Sequence, residues 1–391
     1  MEILPIYSKE QEEKLKSADL DLSMVYLLDT SSGKKIPNEK WRRVNRKELG
    51  SLEPIVDFLQ EVEETKLKIE PALYEVSKRL QNQIDDEYIG KIIDRAIRSP
   101  SWRERATIMN IIGKMYNAKF DNNLFKAAIS VELMQEAFML RDDILDEQER
   151  CVNRETIPKT YGRNAAELAK DILLSDSRNI MLETENPKIM QLLEEMILND
   201  SLGQWMDIKS ETDPFEENNS EEKYFKMITL TPGTQFKNIA AIAYILSGQT
   251  EIKQLIALQE WGLKFGMAAQ LRDDIVDVIG DEQVVYKKLG TDILRKKMRL
   301  PLIKYLEINS KYKQFFTNAI SRIRELKKIL LDIQNSSAIT CCENEVREFV
   351  NEALKYLTEN FDNNRERQLL ENMTYLLMNF NKSQTVRTKN N

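Results

Sequence analysis

The heptapeptide Leu-Arg-Asp-Asp-Ile-Leu-Asp at residues 140–146 returns as Leu-Arg-Asp-Asp-Ile-Val-Asp at residues 271–277. On a helix, 100° per residue places Asp142 and Asp146 on one face with Asp143 beside them, and Asp273, Asp274 and Asp277 repeat that geometry. Like charges at i,i+4 repel by ~0.2–0.5 kcal/mol, so a cation is expected to offset them at both places. Oxygen-only carboxylate sets suit hard divalent ions, above all Mg²⁺, which bridges carboxylates to substrate phosphates. The six aspartates therefore read as the metal ligands and catalytic groups of two jaws that hold a diphosphate. Solvated acidic helix faces are the plainer reading in a chain that is 31% charged. Two near-identical copies, each preceded by an apolar stretch, weigh against it.

Helices must position these clusters. The 391 residues include only 12 glycines and 10 prolines, well below the roughly 12% usual for the two together. Leu, Ile, Glu, Lys and Gln are abundant, so the expected fold is all-α with no sheet. A hydrophobic content of 42% supports a sizeable core. No run approaches the ~18 uncharged apolar residues of a transmembrane helix, and the N-terminus lacks a signal-peptide layout. Cys151, Cys341 and Cys342 form neither a disulfide framework nor a zinc site, so a cytoplasmic chain is expected. A net charge of −7 without a basic stripe argues against nucleic-acid binding. Histidine is absent, which removes every Ser-His, Cys-His and His–metal mechanism. Metal-assisted departure of a leaving group survives that restriction.

Residues 1–50 read as a polar extension, and residues 51–391 as one helical domain. The first cluster falls on a helix from Leu124 to Glu149, the second on a helix from Ile252 to Ile279. Helices are also expected over 165–182, 188–208, 221–230 and 234–246, with a loop over 280–291 and a new helix opening at Pro301.

Outward from the clusters the chain resembles the trans-isoprenyl diphosphate synthase (polyprenyl synthetase) family over residues 50–380. The resemblance rests on both Asp boxes and on Gly162 through Asp171. It rests further on Gly203-Gln204-x-x-Asp207, on Gln270 three residues before Asp273, and on Lys287, Gly290, Asp292, Lys297 and Pro301 at the family's spacing. It implies antiparallel helices around a central apolar cavity, Mg²⁺ as cofactor, a prenyl diphosphate substrate and a homodimer. Lys287 and Lys297 would grip the allylic diphosphate, with Gln204, Asp207 and Gln270 near the metal. Phe138, one helical turn before Asp142, would limit chain length, although core packing accounts for it equally well.

The departures from the pattern bear on the reaction. In the family, the second diphosphate, that of isopentenyl diphosphate, meets a Gly-Gly-Lys-x-x-Arg loop, a His and the second of an Arg-Arg pair. Here Trp102 replaces the Lys, Arg105 remains, Gln135 replaces the His, and Cys151 and Val152 replace the pair. Each lost charge-assisted bond is worth ~1.5–3 kcal/mol. Arg103, Arg150 and Arg154 are the neighbouring cations that would have to compensate. The expected function is therefore a class I terpene synthase that ionises a ready-made allylic diphosphate. The alternative is a prenyl diphosphate synthase with relocated donors, or a prenyltransferase with another acceptor. A non-catalytic partner subunit is the third reading, and the intact Asp clusters weigh against it.

Overall fold

The computed structural model describes residues 53–378 apart from 99–100, 121, 152–153, 213–219, 281–288 and 310–322. The N-terminal extension, Lys287 and Val152 lie outside the described residues.

Four helices open the fold: α1 (Glu53–Ile84), α2 (Glu87–Ile97), α3 (Glu104–Met115) and α4 (Asn122–Leu145). Asp86 starts α2 by accepting from the Tyr88 and Ile89 amides, an N-cap worth ~1 kcal/mol. In α4, Val131, Leu133, Met134, Ala137 and Leu140 are all buried, so this helix is apolar nearly all round, as a central helix must be.

The fold is all-α, as expected, but for one short hairpin, and the structure corrects the reading that extends α4 to Glu149. Gln148 N–H donates to Asp143 O and Glu147 N–H to Ile144 O, the paired bonds of a Schellman cap, with Glu147 left-handed at φ 46. Glycine usually holds that position, which is why the stop is not legible. Beyond it, β1 (Arg150–Cys151) and β2 (Arg154–Glu155) pair antiparallel as a short hairpin.

Next come α5 (Ile157–Tyr161), α6 (Arg163–Leu182), α7 (Pro187–Thr212) and α8 (Glu221–Ile228). A π-helical turn over Thr229–Gly233 leads directly into α9 (Thr234–Leu246). Pro232 has no amide hydrogen to give, and the wider turn accommodates it where the sequence suggests a break. Then follow α10 (Ile252–Ile279), α11 (Thr291–Leu294), α12 (Leu300–Ile308), α13 (Ile323–Gln334), α14 (Ser337–Asn360) and α15 (Arg365–Leu376).

Helix α10 carries the second Asp cluster and joins two apolar clusters. Its first half, with Trp261 and Phe265, packs on α9 and belongs to the apolar cluster that also holds residues of α1 to α4, α6 and α7. Its second half, with Leu271 and Ile275, packs with α8 and α12 to α14. Trp261 stacks on Phe265 and donates to Thr374 Oγ1 at 3.0 Å, pinning α15 to α10. Gly262 and Gly266 lie against the backbone of α9 and of the π turn. A Cβ at either position would overlap the Phe236 or Pro232 carbonyl. That close seam sets where Gln270 and Asp273, farther along α10, meet the opposite wall.

Candidate active site

Helices α3, α4, α7, α8, α9 and α10, the π turn and the segment before α12 enclose a cavity of about 280 Å³. Phe138, Met139, Met227 and Phe236 provide its apolar wall, and Asp142, Asp200, Asp207, Asp273 and Arg299 a charged rim. Of the residues singled out in the sequence, Arg105, Gln135, Phe138, Asp142, Gln204, Asp207, Gln270 and Asp273 line this one space. The other described ones, Asp143, Asp146, Asp274, Asp277 and Lys297, do not line it.

Several of these are tied to its walls. Lys297 Nζ lies 2.7 Å from Asp146 Oδ1 and 2.9 Å from Asp207 Oδ2, linking the first cluster to α7. Asp274 accepts from Tyr224 Oη at 2.7 Å and from Gln270 Nε2 at 2.9 Å. Thr291 Oγ1 donates to Asp277 Oδ1 at 3.3 Å. Arg141 and Arg272 reach the adjacent Asp142 and Asp273, at 3.7 and 3.6 Å.

Burial, reinforced by neighbouring carboxylates, pushes several acids upward. Asp142 keeps 39% of its side chain exposed to the cavity. It is nonetheless hemmed in by protein, and desolvation, with Asp200 and Asp146 adding to it, raises it to about 8 against the pull of Arg141. Desolvation and Asp146 raise Asp143 to about 7. Among the described residues the Asp143 carboxylate has no hydrogen bond or ion pair, while Asp142 meets Gln204 and, at 3.7 Å, Arg141. No group of three potential ligands among the described residues is placed to hold a metal ion by itself. The three-carboxylate cage suggested by helical spacing is therefore not formed. One reason is that α4 ends at Leu145 and Asp146 is drawn to Lys297. Mg²⁺ does not require such a cage, because it completes its shell with substrate phosphates and water. Asp142 and Asp143 fit that role.

The residues expected to compensate for the missing cations do not reach the cavity. Arg103 is fully buried and paired with Glu70 at 2.7 Å, Glu136 at 2.8 Å and Glu132 at 3.4 Å. Arg154 is an exposed residue of the short hairpin and, like Arg150, does not line the cavity. Arg105 does reach the cavity, donating to Gln235 Oε1 at 3.1 Å and lying over the Phe236 ring.

Four functional candidates were not singled out in the sequence. Asp200 accepts from Gln235 Nε2 at 2.9 Å and pairs with Arg141, while Gln204 Nε2 donates to Asp142 Oδ1 at 3.0 Å. These contacts form one chain from Arg105 through Gln235, Asp200 and Arg141 to Asp142. Asp200, Gln204 and Asp207 sit at i, i+4 and i+7, a polar stripe on α7 that was legible. Arg299 and Glu104 face the same cavity with no such pattern to announce them.

The polyprenyl synthetase family model matches residues 86–334. The all-trans-nonaprenyl-diphosphate synthase (geranyl-diphosphate specific) of Rhodobacter capsulatus is 25% identical over 256 residues, covering 65% of this chain and 77% of that protein. The geranylgeranyl pyrophosphate synthase of Geoglobus acetivorans is 27% identical over 258 residues, covering 64% and 78%. The fold matches a polyprenyl synthase from Caulobacter crescentus CB15, crystallised with calcium and isoprenyl diphosphate, at a TM-score of 0.74 and 19% identity, over 82% of this chain and 97% of that one. With the family model spanning well over half the chain and the paired Asp helices meeting at one cavity, the chain belongs to the polyprenyl synthetase family.

Proposed function

We propose that this protein is a Mg²⁺-dependent prenyltransferase of the trans-prenyl diphosphate synthase type. It ionises an allylic prenyl diphosphate and joins the prenyl group to a second substrate, isopentenyl diphosphate by analogy with its relatives. The observation that carries this reading is the meeting of Asp142, Gln204, Asp207, Gln270 and Asp273, from three helices, around one cavity. The relatives named above, prenyl diphosphate synthases, favour it over the terpene synthase expected from the sequence.

Asp142 and Asp143 would hold Mg²⁺, with Asp146 beside them. Bound there, the metal supplies Lewis-acid stabilisation of the negative charge on the departing diphosphate. Arg299 on the cavity rim adds fixed positive charge, and Lys297 backs the first cluster through Asp146 and Asp207. Gln204 orients Asp142, and the Arg141–Asp200 pair keeps that carboxylate turned toward the cavity. Phe138, Met139, Met227 and Phe236 exclude water from the cation left when the C1–O bond breaks. Arg105 is the one cation left to meet the second diphosphate among the four family positions compared above. Leu198, Leu202 and Trp205 form an exposed apolar stripe on the outer face of α7, which supports a homodimer. No helix among the described residues is long and apolar enough to cross a membrane. Cysteine usage supports a cytoplasmic location.

The test is purified protein with Mg²⁺ and geranyl, farnesyl or geranylgeranyl diphosphate, with and without isopentenyl diphosphate, read by product mass. Growth in five-carbon steps is the expected outcome. The terpene synthase remains a second reading because of one observation: Arg103, next to Trp102, is consumed by three glutamates and does not replace the lost lysine. A hydrocarbon or alcohol from the allylic substrate alone, with no extension, would establish that reading instead.

A further inference from the structure

We propose that Asp200 is a positioning residue that sets the grip on both diphosphates, aiming Arg105 through Gln235 and keeping Arg141 off Asp142. This rests on the prenyltransferase reading and deepens it, because it ties the site of the second substrate to that of the first. Asp200 is 3% exposed and Gln235 5%, so their polar groups depend on one another. The two arms start from the two oxygens of one carboxylate. Oδ1 accepts from Gln235 Nε2 at 2.9 Å, and Oδ2 accepts from Arg141 Nη2. A carboxylate only accepts, so Gln235 gives its amino group to Asp200 and turns its carbonyl oxygen the other way. That oxygen accepts from Arg105 Nη2 at 3.1 Å and is the hydrogen-bond acceptor of Arg105 among the described residues. An amide in place of Asp200 offers both a donor and an acceptor. Gln235 could then turn over and present its own donors to the guanidinium.

The other arm governs a competition for Asp142. The Arg141 guanidinium lies over the Phe138 ring, 4.7 Å from its centroid, with Nε 3.7 Å from Asp142 Oδ1. Asp200 draws the far end of this cation toward α7 and leaves Asp142 to Gln204 and the cavity. Removing one member of a buried ion pair leaves the other charge uncompensated. Freed from Asp200, Arg141 has Asp142 as its nearest carboxylate and closes on it, where it competes with a divalent ion. A neutral residue at 200 therefore loosens Arg105 and occupies Asp142 in one step, and removing Arg141 as well undoes only the second effect.

Two readouts on the full chain separate the arms. Electron paramagnetic resonance of Mn²⁺, titrated in with inorganic pyrophosphate, gives metal affinity without turnover, and steady-state kinetics give KM for isopentenyl diphosphate. Asp200→Asn is expected to weaken Mn²⁺ binding and to raise that KM, each by roughly tenfold, the scale of one charge-assisted hydrogen bond. Gln235→Leu is expected to raise KM by a similar factor with Mn²⁺ affinity at the wild-type value. Adding Arg141→Gln to Asp200→Asn is expected to restore Mn²⁺ affinity while KM stays high, a selective rescue that general loosening of the cavity does not produce. Circular dichroism identifies the folded variants. If Asp200→Asn does not fold, the double variant, which buries no lone charge, carries both comparisons. A wild-type KM in the folded Asp200 variants, or Mn²⁺ affinity that Arg141→Gln fails to restore, overturns the inference while leaving the function standing. A wild-type chain that binds no Mn²⁺ beside pyrophosphate, or never extends an allylic diphosphate, defeats the proposed function itself, and the inference with it.

Discussion

Asp142 meets the cavity, Gln204 and Arg141 at once, and burial, with Asp200 and Asp146 adding to it, raises its carboxyl against the pull of Arg141. Asp142→Ala is expected to lower kcat by at least ~10²-fold, the scale of one preorganised electrostatic contact. The far-ultraviolet circular dichroism should remain unchanged. A variant that turns over every allylic diphosphate at the wild-type rate would remove the first cluster from the mechanism. Arg105 calls for a different measurement, because it would bind the second substrate rather than stabilise the leaving group. Arg105→Ala should raise KM for isopentenyl diphosphate by roughly 10–100-fold, as loss of one charge-assisted bond implies, with KM for the allylic substrate little altered. Equal increases in both would show that Arg105 merely supports the cavity wall through Gln235. The aspartates and Arg105 were legible because their types and spacing are local facts. Arg299 was not, since the carboxylate it grips on Asp207 lies 92 residues away in the chain. Asp200 shares the local spacing of Gln204 and Asp207, but its bond to Gln235 spans 35 residues and is not read from that spacing.

At the scale of elements, the long helices announced themselves through the scarcity of glycine and proline and through the apolar stretches before each Asp pair. The departures occur where backbone geometry runs against residue type. Glu147 takes the position a glycine usually fills and ends α4 early, and a π turn absorbs Pro232 where a helix break was expected. Gly266 shows how much the site depends on such geometry. A methyl group there would press on the Pro232 carbonyl and push α10 away from the π turn, one turn from Gln270. Gly266→Ala should destabilise the fold by about 1–3 kcal/mol, the usual range for overpacking, and reduce kcat as well, whereas unchanged melting and turnover would show that the seam yields freely. The junction before α3 makes a prediction about pH. Three glutamates surround Arg103, and burial, with Glu132 adding to it, pushes Glu136 up from 4.5 to about 8 despite the arginine. The folded chain therefore binds a proton that the unfolded chain has released. Stability from this group is fully present below about pH 4.5 and is lost as pH rises toward 8. Glu136→Gln, which cannot ionise, should flatten the decline in Tm between pH 5 and 8. An identical slope in wild type and variant would place the decline elsewhere.

Across the whole molecule, α7 serves two surfaces. Its inner stripe, Asp200, Gln204 and Asp207, forms part of the cavity, while Leu198, Leu202 and Trp205 lie on its outer face, Trp205 being 66% exposed. Single exposed apolar residues are ordinary, but three along one helix form a continuous patch of the kind that marks an interface. The polar stripe can be read from its spacing, but the partner of each face became distinct only once the fold showed which neighbours α7 has. If a second copy covers the outer face, it also holds in place the helix that carries Gln204 against Asp142. Trp205→Glu combined with Leu202→Lys puts charge at the centre of that patch while leaving every cavity residue intact. Light scattering after size exclusion should then give the monomer mass where the wild type gives the dimer. The wild type's specific activity should in turn fall on dilution, as α7 loses its outer support. A wild-type chain that is monomeric at all concentrations, or a double variant that stays dimeric, would rule out this face as the interface.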